Sequence, residues 1–94
     1  MHAPETRRES FTRQTLPLLD GLFAAAVRLS GSRTEAEDLV QETLLLAYQS
    51  FARFEPGTNL KAWLHRIQVN AFISGYRRAR RERRLQEATR DPGA

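Results

Sequence analysis

The 94-residue sequence contains no cysteine and no apolar run of the roughly 18 residues that a membrane-spanning helix needs. Without cysteine the chain can form neither disulfides nor thiolate metal sites, which fits a reducing compartment. Its two histidines, His2 and His65, lie far apart in the sequence and do not form a metal-binding motif. The polar segment 1–10 also lacks the apolar block of a secretory signal. We therefore expect a cytoplasmic protein with no membrane contact and no metal or other cofactor.

Lysine is nearly absent as well, since Lys61 is the only one among 15 basic residues and the rest are arginines. The net charge of +4 is divided unevenly along the chain. Residues 1–60 carry six arginines against eight acidic residues, a net −2, whereas 61–94 carry nine basic against three acidic residues, a net +6. A local basic field attracts phosphate, and arginine binds phosphate through a planar fork. The acidic half remains available for a protein partner.

Helical periodicity dominates the pattern of apolar residues, and strand signals are weak. A first helix is predicted to begin near Thr15 or Pro17, because proline favours the first turn, and to end at Ser30-Gly31-Ser32. Its apolar positions with helical spacing are Leu19, Leu22, Phe23, Ala26 and Val27. Any helix before Pro17 would be kinked or separate, and we expect 1–10 to form a flexible tail.

A second helix has two candidate capping boxes, Ser32 with Glu35 and Thr34 with Glu37, between which the sequence does not choose. Its apolar stripe continues for more than four turns and predicts packing against the other helices. The stripe consists of Ala36, Leu39, Val40, Thr43, Leu44, Ala47, Tyr48 and Phe51.

A third helix follows the break at 55–58 and is capped by Thr58 or Asn59. We expect it to continue to about Arg81, with 85–94 as a second flexible tail. Its stripe consists of Leu60, Trp63, Leu64, Ile67, Ala71 and Phe72. The predicted fold is all-α. It is a compact bundle of three main helices, with a polar N-terminal extension and a basic C-terminal helix end, in one domain (1–94) whose core covers about 15–84.

Several segments together resemble the second conserved region of bacterial RNA polymerase sigma factors of the extracytoplasmic-function group. They are 38–43 (DLVQET), Ala47-Tyr48, Phe51, Phe54, 57–67 (GTNLKAWLHRI), Asn70 and Tyr76-Arg77-Arg78. The resemblance covers roughly 16–84. Nothing matches the family's second DNA-binding domain, a helix-turn-helix. We therefore expect an isolated domain cut at the interdomain linker, although a naturally short protein is the alternative.

The second helix carries Asp38, Gln41 and Glu42 at positions i, i+3 and i+4, so they share one side. On spacing alone, a solvated helix face is the simpler interpretation. The family resemblance instead implies that this face docks on the coiled coil of the polymerase β′ subunit, with apolar area from Leu39, Leu45 or Leu46. The same surface is the natural target of an anti-sigma factor, which is a further expected partner.

The loop 54–59 has the length and composition of an ordinary connector. The resemblance implies that it holds a base flipped from the non-template strand of the promoter −10 element. The residues expected to contact DNA there and along the following helix are Phe54, Gly57, Thr58, Asn59, Lys61, His65, Arg66 and Asn70. Trp63 is predicted to belong to the core instead.

The arginine-rich segment 77–84 is the third candidate site. Runs of this kind are often only solvated, but six arginines in eight residues repel one another and favour a counter-charge nearby. Arg77, Arg80, Arg81 and Arg84 share one helical face, which suits a track of phosphates. Tyr76 and Arg78 are expected to approach the DNA at the upstream edge of the opened segment.

These observations predict a module that docks on core RNA polymerase and helps to melt the −10 element. One alternative is a basic module that coats nucleic acid without sequence preference, and another is a protein-interaction adaptor. An enzyme is disfavoured, since the sequence shows no acid–base pair and no glycine-rich phosphate loop, and His65 has no partner that the sequence can name. We therefore predict no catalytic residue.

Overall fold

A computed structural model describes residues 3–90, all of whose regular structure is helical. The four α-helices are α1 (Arg7–Thr15), α2 (Leu19–Ser30), α3 (Arg33–Ser50) and α4 (Leu60–Arg90). Short 3₁₀ turns, Leu16–Leu18 and Phe51–Arg53, follow α1 and α3. The all-α prediction is confirmed, with α2, α3 and α4 as the three main helices. Within 3–90 no helix has the length and apolarity required to cross a bilayer.

Helix α1 occupies part of the segment that the sequence pattern assigned to a flexible tail. Thr6 and Glu9 form a capping box, in which Thr6 Oγ1 accepts from the Glu9 backbone N–H at 3.1 Å and Glu9 Oε1 accepts from the Thr6 N–H at 3.2 Å. These bonds satisfy backbone donors that a helix start otherwise leaves open. Residues 7–10, which the sequence pattern placed in a tail, are therefore helical. The tail prediction for residues 1–2 and 91–94 concerns positions outside the described residues.

One aromatic side chain anchors α1 to the rest of the fold. Phe11 is buried, and its ring makes edge-to-face contacts with Tyr48 and Phe51 at centroid distances of 5.3 and 5.1 Å. Such pairs add to the stabilisation from area burial. Because α1 is otherwise polar, Phe11 explains how a helix with little apolar character can dock. The 3₁₀ turn that contains Pro17 separates α1 from α2, as expected for any helix before that proline.

An exposed ion pair joins α1 to the segment that precedes it. Arg13 donates from Nε to Glu5 Oε2 at 2.8 Å and from its terminal nitrogen to Oε1 at 3.0 Å. The hydrogen bond from Arg13 lowers the pKa of Glu5, and the same bond raises the pKa of Arg13. Since both side chains are exposed, the pair orients the segment more than it stabilises the fold.

The junction between α2 and α3 settles which capping residue starts the second main helix. Gly31 ends α2 in the left-handed region at φ 75°, which glycine adopts without a steric penalty. Ser32 is extended, and its hydroxyl accepts from the Glu35 N–H at 3.3 Å. Of the two candidate caps, Ser32 is therefore the one used.

The core lies where α2, α3 and α4 meet, and it is built from the predicted stripes. One cluster contains Phe11, Leu22, Ala47 and Leu64, and the other contains Ala26, Ala36, Leu39 and Ala71. Half of these residues are alanines, whose small side chains allow the helix axes to approach closely. The close contact buries the small apolar face of each helix.

Gln68 is a polar residue inside this core. It is 1% exposed, and its Nε2 donates to the carbonyl of Leu22 at 3.0 Å, linking α4 to α2. Its Oε1 and the Nε2 of His65 are buried without a hydrogen-bond partner among the described residues. A polar side chain that is only half satisfied costs stability but fixes the alignment of the helices that it joins.

Helix α4 is longer than its sequence pattern suggested. It runs for 31 residues, about 46 Å at 1.5 Å per residue, and ends at Arg90 rather than near Arg81. Up to Phe72 it packs against the other helices, whereas residues 73–89 are exposed. The second half therefore projects from the bundle, and residues 85–90, which the sequence pattern placed in a tail, are helical.

Replacing Leu64 by alanine should lower the free energy of unfolding by about 2–5 kcal/mol, since the side chain is fully buried and leaves a cavity. Leu45→Ala is the matched control, because Leu45 is 58% exposed and its loss should cost less than about 0.5 kcal/mol. Urea unfolding followed by circular dichroism measures both. Equal losses in the two variants would contradict this arrangement of the core.

Candidate functional site

A groove with an acidic rim lies between the first half of α3 and the middle of α4. It encloses about 340 Å³, and Glu35, Asp38 and Glu42 supply its carboxylates. The facing part of α4 contributes Ala71, Phe72, Gly75, Tyr76 and Ala79. An apolar floor beside exposed carboxylates suits a partner that presents both apolar and basic side chains.

The residues predicted to bind polymerase divide between this groove and the surface beside it. Asp38 and Glu42 line the groove, while Gln41 and Leu45 are exposed outside it. Leu45 and Leu46 are 58% and 37% exposed, so both offer apolar area to a partner. Leu39 is only 7% exposed. It is a core residue that also lines the groove, so the apolar area open to a partner here comes mainly from Leu45 and Leu46.

Tyr76, one of the residues predicted to bind DNA, also contributes to the acidic groove. It lines the acidic groove together with Asp38 and Glu42. The guanidinium carbon of Arg80 lies 5.8 Å from the centre of its ring, within the range of a cation–π contact. Tyr76 therefore stands at the boundary between the acidic groove and the arginine-rich part of α4.

The loop between α3 and α4 contains a tight turn centred on Pro56 and Gly57. The Thr58 N–H donates to the carbonyl of Glu55 at 3.2 Å, and Gly57 has φ 88°. Proline followed by a glycine with positive φ is typical of a type II turn. The Thr58 hydroxyl donates to the same carbonyl at 2.6 Å. Residues 55–59 are exposed, so the turn is fixed in shape and open to solvent.

A depression of about 220 Å³ lies next to this turn. Its lining residues are Phe54, Thr58, Asn59, Ala62, Trp63 and Arg66. The rings of Phe54 and Trp63 are 5.0 Å apart and inclined at 44°. Aromatic walls beside a hydroxyl, an amide and a guanidinium provide stacking, hydrogen bonding and charge for an unpaired base.

Four of the predicted DNA-binding residues meet in this depression, namely Phe54, Thr58, Asn59 and Arg66. Trp63 also contributes, although the sequence assigned it only to the core; it is half-buried and packs on the core as well. The other predicted residues near the loop do not line the depression. They are Gly57, Lys61, His65 and Asn70.

Asn59 has a structural role that accounts for part of its hydrogen bonding. Its Oδ1 accepts from the Ala62 N–H at 3.0 Å, and its carbonyl accepts from the Trp63 N–H at 3.1 Å. It is thus the N-cap of α4, which decides between the two caps that the sequence allowed. The side-chain Nδ2 remains as a donor for a ligand.

The angular positions of the other predicted DNA-binding residues on α4 follow from the helical repeat. At 100° per residue, Asn70, Arg77 and Arg84 lie within about 40° of Arg66, so they continue the face that begins at the depression. Lys61 lies about 140° from Arg66. Arg77, Arg80, Arg81 and Arg84 border a shallow depression of about 240 Å³, which confirms that these four arginines share one surface.

No group of three or more histidine, cysteine, aspartate or glutamate side chains within 3–90 is placed to hold a metal ion.

The acidic groove and the aromatic and basic face both lie within a segment that matches a known protein family. The family described as sigma-70 region 2 matches residues 15–82. The chain belongs to the sigma-70 region 2 family.

The relatives of this sigma region 2 domain are named as RNA polymerase sigma factors. The ECF RNA polymerase sigma factor EcfG of Rhodopseudomonas palustris is 47% identical over 74 residues, 79% of this chain and 41% of the relative. SigG of Mycobacterium tuberculosis is 39% identical over 90 residues, 96% of this chain and 24% of the relative. SigE of Mycolicibacterium smegmatis is 44% identical over 64 residues, 68% of this chain and 24% of the relative. The chain therefore spans between a quarter and two fifths of the length of these sigma factors.

The groove of this sigma region 2 domain includes α4 residues that sequence reasoning did not connect with Asp38 and Glu42. Ala71, Gly75 and Ala79 recur at intervals of four, and Phe72 and Tyr76 follow the first two of them. This spacing marks one side of a helix and continues beyond the last core residue, Ala71. The signal was present in the sequence, but only the packing of α3 against α4 shows which acidic residues face it.

Asn59→Ala should lower the free energy of unfolding of the region 2 domain by about 1 kcal/mol, since it removes the cap of α4. Asn59→Ser keeps a capping oxygen and should stay within about 0.5 kcal/mol of the original chain. Urea unfolding measures both changes. A serine variant as unstable as the alanine variant would exclude the capping role.

Proposed function

We propose that this domain works in transcription initiation. It docks on core RNA polymerase through the acidic groove and the adjoining face of α3, and it captures unpaired bases of the non-template strand of the promoter −10 element at the loop depression. The relatives' names support the first half of this assignment. The resemblance of the loop and of α4 to the corresponding sigma-factor segments supports the second half.

The observation that carries the proposal is the position of the two candidate surfaces on α4. Ala62, Trp63 and Arg66 border the loop depression, and residues nine positions later, Ala71, Phe72 and Gly75, border the acidic groove. Nine residues turn a helix by 900°, which places these two sets on opposite sides, about 14 Å apart along the axis. Polymerase and single-stranded DNA can therefore bind at the same time without competing for surface.

Docking on polymerase combines apolar burial with charge. Phe72 and Tyr76 offer ring surface in the groove, and Asp38 and Glu42 stand at its rim. Arginines of a partner helix would pair with these carboxylates, and such rim pairs mainly set register and speed association. By its family resemblance, the partner is the coiled coil of the β′ subunit. The exposed Gln41 and Leu45 extend the contact beyond the groove.

Base capture relies on the rings and donors around the loop. A flipped base stacks on Phe54 or Trp63, while Thr58 and Arg66 reach its edge or the adjoining phosphate. Stacking on an aromatic residue contributes about 1–3 kcal/mol per base. This is comparable with the few kcal/mol that removing a base from the duplex costs. The work of melting thus comes from binding, and the proposed function is non-enzymatic.

The rest of the strand and the adjoining duplex follow the projecting half of α4. Asn70 lies on the same face between Arg66 and Arg77, so it contacts the DNA after the depression rather than forming the depression wall. The exposed ridge of Arg77, Arg80, Arg81 and Arg84 then runs along the phosphates. Binding through such a ridge weakens steeply as salt rises.

The acidic groove also suits an anti-sigma factor as a competing partner. A protein that covers Asp38, Glu42 and Tyr76 would block polymerase docking while leaving the opposite face of α4 open. Regulation at this groove would therefore act on assembly with polymerase rather than on DNA contacts. A protein with these partners would work in the cytoplasm.

Asp38→Arg should abolish binding to core RNA polymerase, since it reverses a charge at the rim of the groove. Helicity should remain unchanged, because Asp38 is exposed. Asp20→Arg is the matched control, since Asp20 is an exposed aspartate on α2 outside the groove. Pull-down of core polymerase with the two variants is the measurement. Retained docking by the Asp38 variant would contradict this assignment of the groove.

Asn70→Ala should reduce the preference for a −10-like non-template oligonucleotide over a scrambled one by more than it reduces total affinity. Gln86→Ala removes an exposed amide about 160° away on α4 and should leave the preference unchanged. Fluorescence anisotropy of labelled oligonucleotides gives both quantities. Equal affinity of the unmodified chain for both strands would favour a non-specific module, and no binding at low salt would favour a protein adaptor.

A further inference from the structure

Two surfaces of opposite charge repeat at the same spacing along their helices. The carboxylates at the rim of the acidic groove occupy positions i, i+3 and i+7 of α3, and they are Glu35, Asp38 and Glu42. The arginine ridge covers the same length of α4, and its members are Arg77, Arg80, Arg81 and Arg84. At 1.5 Å per residue, each row is about 10 Å long. One row can therefore lie along the other over two helical turns.

This spacing lets every carboxylate meet an arginine. With the two helices antiparallel, the steps between the carboxylates match those between the arginines in the pairs Glu35–Arg84, Asp38–Arg81 and Glu42–Arg77. The parallel direction gives an equivalent set, in which Arg80 is the partner of Asp38. An exposed ion pair contributes little by itself, but several in one row fix the register of a contact.

Neither row is ion-paired within the part of the chain that the structure describes. Arg13 with Glu5 is the one ion pair there, and it belongs to α1. The ridge also cannot reach the groove of its own chain. Arg77 and Arg84 project about 160° and 180° around α4 from Gly75, which lines the groove. A ridge can therefore meet a groove only on another copy.

The groove also offers surface to the apolar part of an arginine side chain. Phe72 and Tyr76 line it, and arginine packs its stem on apolar surface and its guanidinium on aromatic rings. The Tyr76 ring already has such a contact with Arg80 of its own chain, at 5.8 Å. The ridge lies on the exposed segment 73–89 of α4, so no other helix of its own copy covers it.

We propose that the arginine ridge of one copy binds in the acidic groove of a second copy. Because ridge and groove lie on opposite sides of α4, two copies cannot exchange both contacts, and the association is head-to-tail. It covers the surfaces proposed above for polymerase and for DNA, so it holds the domain in an inactive form that either partner disperses by competition. The contact itself rests on charge and spacing, and it stands whether or not those partners are correct.

The sign of the salt dependence distinguishes this contact from ordinary aggregation. The chain has a net charge of +4, so copies with evenly spread charge would repel one another more as salt is removed. Complementary rows behave in the opposite way. They attract at about 0.02 M salt, where the Debye length is roughly 20 Å, and are screened at about 0.5 M, where it is roughly 4 Å.

Sedimentation velocity of the full 94-residue chain at these two salt concentrations is the first measurement. At about 0.1 mM protein, a concentration suited to weak association, the mean mass at low salt should exceed that of the 10.8 kDa monomer. It should return to the monomer mass at high salt. A monomer under both conditions, or an assembly that grows as salt is added, would overturn the proposal.

Charge reversal on either surface should abolish the assembly. Asp38→Arg combined with Glu42→Arg reverses the groove rim, and Arg77→Glu combined with Arg84→Glu reverses the ridge. Each double variant alone should be monomeric at low salt. An equimolar mixture of the two should form 1:1 complexes, since the native ridge of the first variant meets the native groove of the second. A mixture that stays monomeric would contradict the pairing of these surfaces.

The matched controls make the same changes of charge elsewhere. Asp20→Arg with Glu37→Arg alters exposed acidic residues outside the groove, and Arg8→Glu with Arg28→Glu alters exposed arginines outside the ridge. Both should keep the low-salt assembly. Circular dichroism checks that every variant is folded. If the controls lost assembly as completely as the groove and ridge variants, net charge would account for the association and the proposal would be wrong.

Discussion

The rotation of α4 about its own axis is the constraint on which both candidate interfaces depend. Leu64, Gln68 and Ala71 are buried on one side of this helix, and the bond from Gln68 to the Leu22 carbonyl ties that side to α2. Once these three residues are packed in the core, the helical repeat fixes the direction in which every later side chain of α4 projects. The continuation of the buried side becomes the floor of the acidic groove, and the opposite side becomes the arginine ridge. One packing event therefore determines where two chemically opposite surfaces lie.

The periodic apolar stripes were enough to predict the three main helices, because each stripe is wide and its small residues fit a close-packed core. Pattern alone could not reveal α1, which begins at a capping box far from any apolar run and is attached through the ring of Phe11 and the contacts of Arg7 with Tyr48. It also missed Gln68, since burial of an amide requires an acceptor that only the fold brings near. The length of α4 beyond Arg81 was underestimated, because those residues form helix without any packing that a stripe would report.

For the candidate site, the sequence named individual residues but not their arrangement in space. The spacing and the family resemblance nominated Asp38, Glu42 and the loop residues as candidates, and the structure leaves Asp38, Glu42 and 55–59 exposed. What could not be read from the sequence was which side of one helix faces which side of another. That relation places Tyr76 at the edge of the groove, and it places Lys61 about 140° around α4 from Arg66. The chain carries a net charge of −2 before Lys61 and +6 from Lys61 onward. Helix α4 separates the two in space, with the acidic groove on one side and the arginine ridge on the other.

Loops of this length usually pay an ordering cost when they bind, since their backbones sample many conformations beforehand. Here an unbroken series of rings, from buried Phe11 through Phe51 and Phe54 to Trp63, connects the bundle interior with the connector between α3 and α4. These contacts hold the connector against the bundle core. An incoming ligand meets a wall that is already shaped, so little conformational entropy is lost on association. Selectivity at such a preorganised surface comes from geometric fit. That fit depends on the packing of α1, because the series of rings begins at Phe11.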